Sequence, residues 1–253
     1  MKKIINQIGA LILTFSIASI FWGCGKPKDN ASSESGGSGG KPKAAASVEV
    51  RAVELASVEE VKDFYEASPK FFSIKKTEDI PDNLKWEDGL DEPVFSSPNA
   101  KQGGTMNHYT GDWPRTLRFV GPDASGSFRR HILDNNVFAL VHEHPETDGY
   151  IPAIAKRWAV GDDKKTVFFE LDPNARYSDG EPAQVTDFFF HFYFMRSKHI
   201  KAPWYNDYYD NKKFLNITLY NTRVLSITYY KAKPDVITKA AIRPVPEHHY
   251  EEL

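Results

Sequence analysis

Apolar and polar positions alternate most cleanly in the last third of the chain. Phe214–Tyr220 and Val224–Tyr230 alternate on either side of Asn221-Thr-Arg223. This predicts a β-hairpin with Leu215, Ile217 and Leu219 facing inward, together with Leu225, Ile227 and Tyr229. Upstream, Arg157–Val160 and Thr166–Leu171 flank Gly161–Lys165 and predict a second hairpin, with Val167, Phe169 and Leu171 on one face. Helical spacing occurs at Val61, Phe64 and Tyr65, just after the capping box Ser57-Val-Glu-Glu60, and predicts a short helix over about 58–67. Ile132, Leu133, Val137, Leu140 and Val141 have the same spacing and predict a helix over 128–142. Short strands are predicted at Thr105–Tyr109, after Gly103-Gly104, and at Thr116–Val120, with a small-residue loop at 121–127. Residues 188–194 (FFFHFYF) hold six aromatics in seven positions. Propensity favours a strand there, but Pro182 and Thr186-Asp187 form a helix entrance and the run continues to Met195, so a buried helix is predicted.

Between these elements the chain is punctuated by turns. Asp172-Pro-Asn174 is one, and Tyr177-Ser-Asp-Gly-Glu-Pro182 is another, whose Asp-Gly supplies a positive-φ position. Residues 68–101 are broken by Pro69, Pro81, Pro93 and Pro98 and read as an extended arm, packed through Phe71, Phe72, Ile74, Leu84 and Trp86. Ile242–Pro246 reads as extended, and no internal repeat is visible.

The N-terminus has a different pattern. Lys2 and Lys3 precede the uncharged stretch Ile4–Gly23, the arrangement of a secretory signal. Phe-Trp-Gly-Cys at 21–24 resembles a bacterial lipobox, in which cleavage leaves Cys24 as a lipidated N-terminus. The alternative is an uncleaved anchor, since twenty uncharged residues just span a bilayer. Residues 25–47 are rich in Gly, Ser, Ala, Lys and Pro and read as a flexible tether. The domain order expected is a signal peptide at 1–23, a lipidated Cys and linker at 24–47, an extension arm at 48–101 and a binding domain at 102–253. The body is expected outside the cytoplasm, in the periplasm or on the cell surface, on a lipid anchor.

Composition narrows the function. With 41% hydrophobic and 26% charged residues, the chain is neither disordered nor membrane-embedded throughout. Residues 1–23 carry only Lys2 and Lys3, which leaves 30 basic against 34 acidic groups in the rest. A basic nucleic-acid footprint is absent, so no nucleic-acid partner is expected. Cys24 is the single cysteine, which excludes an internal disulfide and any multi-cysteine metal site.

Five pieces then occur in a fixed order: Gly103-Gly104-Thr105, Ile151–Trp158, Thr166–Leu171, Tyr177–Pro182 with Thr186-Asp187-Phe188, and Pro244-Val-Pro-Glu-His-His-Tyr250. This order resembles the family 5 extracellular solute-binding proteins, the oligopeptide-, dipeptide- and nickel-binding components of ABC importers. The resemblance implies a mixed α/β (α+β) fold of the type II periplasmic-binding-protein kind. This chain would be the N-terminal lobe of a two-lobed clamp, with a hairpin-rich accessory part around 128–230. It also implies a receptor that hands a peptide or a related small solute to an inner-membrane ABC permease without chemistry on the ligand. Family members are about twice this length, so the chain is expected to be a fragment. Alternatives are a lobe-only envelope interaction protein, a non-functional truncated paralogue and, remotely, a secreted hydrolase.

The resemblance places ligand contacts on the small-residue loop, at Ser125, Gly126 and Ser127, and on Trp204 and Tyr205. Small residues in such a loop allow close backbone approach. The Tyr177–Gly180 motif reads as turn chemistry rather than a site. His142-Glu143-His144 and His248-His249 with Glu251 are metal-ligand types without a fixed third ligand, so no metal and no cofactor is expected. Paired carboxylates at Asp162-Asp163 and Glu251-Glu252 fall in a turn and at the chain end, and no nucleophile motif accompanies them. No catalytic residue is assigned.

Overall fold

A computed structural model describes residues 53–250, apart from 56, 57, 102, 106, 108, 135 and 211. The export segment, Cys24, the tether, Ser57 of the capping box and Glu251 lie outside the described residues. The elements in chain order are α1 (Glu59–Glu66), β1 (Phe72–Ile74), β2 (Val141–Glu143), β3 (Tyr150–Pro152), β4 (Ala155–Val160), β5 (Thr166–Leu171), α2 (Thr186–Arg196), α3 (Pro203–Tyr208), β6 (Phe214–Leu219), β7 (Val224–Tyr229), α4 (Val236–Ala240) and α5 (Glu247–Tyr250). This is a mixed α/β fold. One sheet runs β1-β6-β7-β5-β4, and β2 pairs with β3 in a separate antiparallel ribbon.

Both predicted hairpins form, and they build the main sheet rather than an accessory part. Val167 pairs with Ile227 and Phe169 with Leu225, so β5 and β7 place their aliphatic rows side by side. Leu215 departs from the expected alternation. The β6–β7 register shifts between Phe214 and Asn216, which buries Phe214, Ile217 and Leu219 completely and leaves Leu215 40% exposed. The arm contributes β1, parallel to β6 with Phe72 opposite Ile217. Phe71 and Phe72 are buried there, whereas Ile74, expected to pack, faces solvent. Leu84 and Trp86 of the arm pack on a second cluster around Phe168 and Tyr220. Gly89 fixes its course: φ is +64°, and a Cβ there would lie 2.2 Å from the Tyr150 carbonyl oxygen.

The aromatic run is helical, as predicted. A helix apolar all round is a buried one, and Phe188, Phe189 and Phe192 of α2 are sealed between the sheet and α1. Phe189 meets Tyr65 and Phe72 edge-on at 5.4 and 5.1 Å.

Three expectations fail between 105 and 142. Thr105–Tyr109, so far as its residues are described, and Thr116–Val120 form no strand. The helix over 128–142 shrinks to a π-helical turn at Arg130–Asp134. The amide of Asn136 donates to the His131 carbonyl, a side-chain bond that competes with helix propagation. Val141–Glu143 leaves the helical spacing to pair with β3. Leu133, Leu140 and Val141 are buried all the same.

Candidate functional site

The Tyr177–Pro182 turn, the start of α2 and the segment after α4 are tied together at one carboxylate. Asp187 is buried and accepts bonds from the Tyr177 hydroxyl (2.9 Å) and from the backbone N–H groups of Gln184 (2.8 Å) and Glu247 (3.0 Å). Burial pushes its carboxyl up, and the three donors pull the other way. The turn itself closes by Gly180 N–H to the Tyr177 carbonyl, 3.0 Å, with Gly180 at φ +96°. Asp179 reaches the His248 Nε2 at 2.9 Å. The motif is therefore a brace, in keeping with its turn chemistry.

What it braces is a cavity of about 270 Å³. Its walls are the stretch around Leu117–Val120, the turn carrying Arg129 and Leu133, one side of α2 (His191, Met195), Tyr205 and Tyr209, and Arg243–Pro246. Apolar and aromatic side chains dominate. Two arginines enter, and no described lining residue is a carboxylate. The Arg129 guanidinium lies over the Tyr205 ring, 5.3 Å from its centroid, and its buried Nε has no hydrogen-bond partner. Arg243 Nε donates to the Val137 carbonyl at 3.0 Å. Burial raises the Tyr209 hydroxyl, while the Arg243 and Arg129 charges draw it back. Both cations thus lie near enough to Tyr209 to act on its hydroxyl.

His191 completes the wall. Its ring is fully buried and edge-on to Tyr209 at 4.6 Å, and neither nitrogen has a well-formed hydrogen bond. Burial pushes it down to about 3; the Arg243 backbone offsets this only in part, and the Arg243 charge adds to it. His191 is a neutral imidazole with unspent hydrogen-bonding capacity on a largely apolar wall.

Of the residues predicted to touch ligand, Tyr205 lines this cavity. Ser125, Gly126 and Ser127 lie on an exposed loop around a separate concavity of about 360 Å³, which shares Arg129 with the first. Trp204 is outside both, 66% exposed and stacked on Tyr208 at 5.1 Å. Sequence reasoning missed Arg129, His191, Tyr209 and Arg243, which belong to no motif and are converged only by the fold. The histidines at 142–144 do not converge on an ion. His144 is buried, with Nε2 2.7 Å from the Pro93 carbonyl and Nδ1 accepting from the Glu146 and Thr147 N–H groups. Among the described residues no cluster of three or more His, Cys, Asp or Glu is placed to hold a metal ion.

Most of the cavity wall, from Tyr177 to Tyr250, falls in one stretch of chain. Residues 149–251 match the family model of bacterial extracellular solute-binding proteins, family 5, middle part. The resemblance to family 5 is therefore shown over this part of the chain, which holds both hairpins, α2 and the Arg243–Pro246 wall. No curated protein matches the chain. Among solved structures, Haemophilus influenzae OppA in complex with RPPGFSPFR aligns over 51% of this chain and 28% of its own, at 19% identity and TM-score 0.45. HbpA2 from Haemophilus parasuis aligns over 56% and 31%, at 17% identity and 0.47. NikZ from Campylobacter jejuni in complex with Ni(L-His) aligns over 46% and 23%, at 18% identity and 0.38. The chain thus covers under a third of the length of each. No helix among the described residues is long and apolar enough to cross a membrane.

Proposed function

We propose that this protein is an extracytoplasmic solute-binding receptor that delivers a peptide or a related small solute to an ABC importer. The observation that carries the reading is the position of the cavity: the family 5 segment supplies most of its wall. The N-terminal pattern supports export and anchoring through a lipid on Cys24. The chain supplies one wall of a two-lobed cleft, and the permease recognises the closed form. The reading assigns no chemistry to the ligand and needs no cofactor.

The wall also suggests what the ligand looks like. Apolar and aromatic surface with two cations and no lining carboxylate suits an apolar body with an anionic end. A peptide with an apolar C-terminal residue and a free carboxylate has that form, and arginine is the side chain best matched to a carboxylate. The test is calorimetric titration of the full chain with an apolar tripeptide and with its C-terminal amide. The free acid is expected to bind at least about tenfold more tightly, the range of one charge-assisted hydrogen bond. Arg129→Met is expected to abolish the difference. Absence of binding by either peptide, or equal binding by both, overturns the reading.

A further inference from the structure

The two faces of the main sheet are unlike. One carries the apolar rows that meet α2. The other carries hydroxyls in register. Thr228 stands opposite Thr166 on one side and Asn216 on the other, and one rank along, Ser226 stands between Phe168 and Thr218. The Thr166 and Thr228 hydroxyls are 3.0 Å apart, and Thr218 donates to the Asn216 side-chain oxygen at 2.6 Å. Thr218 and Ser226 are buried at the centre of the sheet.

The arm crosses this face without filling it. Asn83 donates to Asp162 at 2.7 Å and bridges the arm to the β4–β5 turn, and Lys75 N–H bonds the Leu219 carbonyl at 2.9 Å. Between roof and sheet remains an open groove of about 320 Å³, within the size range of small-molecule sites. Its floor combines hydroxyls and the Asn216 amide, whose N–H groups also donate to Lys70, Phe71 and Ser73, with the buried Phe168 ring, flanked by Tyr220 at 5.8 Å, and its rim carries Lys75, Asp79, Asp162 and Asp163. A sheet face under a roof is ordinarily made apolar, because buried polar groups are costly unless partnered; here Thr166 pairs with Thr228, Thr218 with Asn216, and Ser226 with the Tyr220 hydroxyl at 3.3 Å.

We propose that this groove is a binding site for a neutral polyhydroxylated ligand, a saccharide unit, distinct from the arginine-lined cavity. The chemistry is reciprocal. Each sugar hydroxyl both donates and accepts, as do the threonine and serine hydroxyls, while the rim carboxylates accept only. The groove's lining cation, Lys75, is outnumbered by Asp79, Asp162 and Asp163, so the groove does not select anions. The proposal stands whether or not the receptor reading holds, since no residue is shared between the two sites.

Saturation-transfer NMR and calorimetry on the full chain, with glucose, mannose, galactose, maltose and cellobiose as probes at millimolar concentration, test it. At least one saccharide is expected to bind. The near-isosteric Thr228→Val and Ser226→Ala are each expected to weaken that binding by about tenfold, as loss of one hydrogen bond does. Both are expected to keep the parent's cooperative melt at a modestly lower temperature, because each also ends an internal hydrogen bond, and Arg129→Met is expected to bind the saccharide unchanged. Absence of binding by all five probes overturns the proposal, because the groove then holds water only. Binding that survives both groove substitutions, or that falls with Arg129→Met, overturns it as well.

Discussion

His191 has its ring sealed from water on a wall that offers it no good partner. The unfolded chain takes up this proton near pH 6.5, whereas the native ring does so only at about 3. Below pH 6.5 the unfolded state therefore binds more protons, and stability falls as pH drops, by at most about 1.4 kcal/mol per pH unit from this group. His191→Gln removes the titration. Its melting temperature is expected to fall less than the parent's between pH 6.5 and 4.5, and parallel slopes would contradict the assignment. Glu170 shifts the same way for another reason. Burial raises its carboxyl, but the bonds from Lys156 (2.7 Å) and Arg157 outweigh burial and hold it below the usual carboxylate range. Its contribution is present above the ordinary carboxylate pKa and is lost as pH falls through the depressed native one. Glu170 is only 13% exposed, so Glu170→Gln is expected to cost about 1–3 kcal/mol at pH 7. Urea denaturation should show that gap closing below pH 4.

Register decides the elements. The bulge between Phe214 and Asn216 is what turns Leu215 outward. Leu215→Thr is accordingly expected to change stability by under about 0.5 kcal/mol, as surface substitutions do. Leu219→Ala, at a fully buried site, is expected to cost about 2–5 kcal/mol. Comparable losses at the two positions would mean that the bulge is absent in solution. Both hairpins, the Tyr177–Pro182 turn and α2 were legible in the sequence because each carries its own signal: alternation about a turn, an Asp-Gly at positive φ, or an apolar run behind a helix entrance. The bulge was missed because Leu215, Ile217 and Leu219 alternate with Asn216 and Thr218 as an unbroken strand would, and the adjacent apolar pair Phe214-Leu215 does not by itself say which of the two faces inward. The stretch 128–142 misleads because Leu133, Leu140 and Val141 are buried at helical spacing for a non-helical reason. Of the cavity, Tyr205 was reachable through the family resemblance. Arg129, His191 and Arg243 were not, because they are remote in sequence and brought together only by packing.

The largest consequence concerns the arm. Proline spacing made residues 68–101 look like an extension laid on a finished domain, yet α1 and β1 place Val61, Tyr65, Phe71 and Phe72 in the same core as α2. Burying a side chain of this size contributes roughly 1.5–3 kcal/mol, and four of them rival the whole net stability of a domain, about 5–15 kcal/mol. Beyond β1 the arm is held again where Glu87 exchanges backbone bonds with Trp158 (2.8 and 2.9 Å), and where Pro93 meets His144 and Glu92 meets Thr147 (2.7 Å each). β1 is also an edge strand, so its removal uncovers the unpaired edge of β6, a template for association. A chain beginning at residue 102 is therefore expected to show no cooperative thermal transition by circular dichroism, where the longer chain is expected to show one, and to aggregate. Phe72→Ala in the longer chain is expected to keep the transition but lower stability by about 3–5 kcal/mol. If the shorter chain melts cooperatively at a similar temperature, the arm is an appendage, and the core closes without α1 and β1.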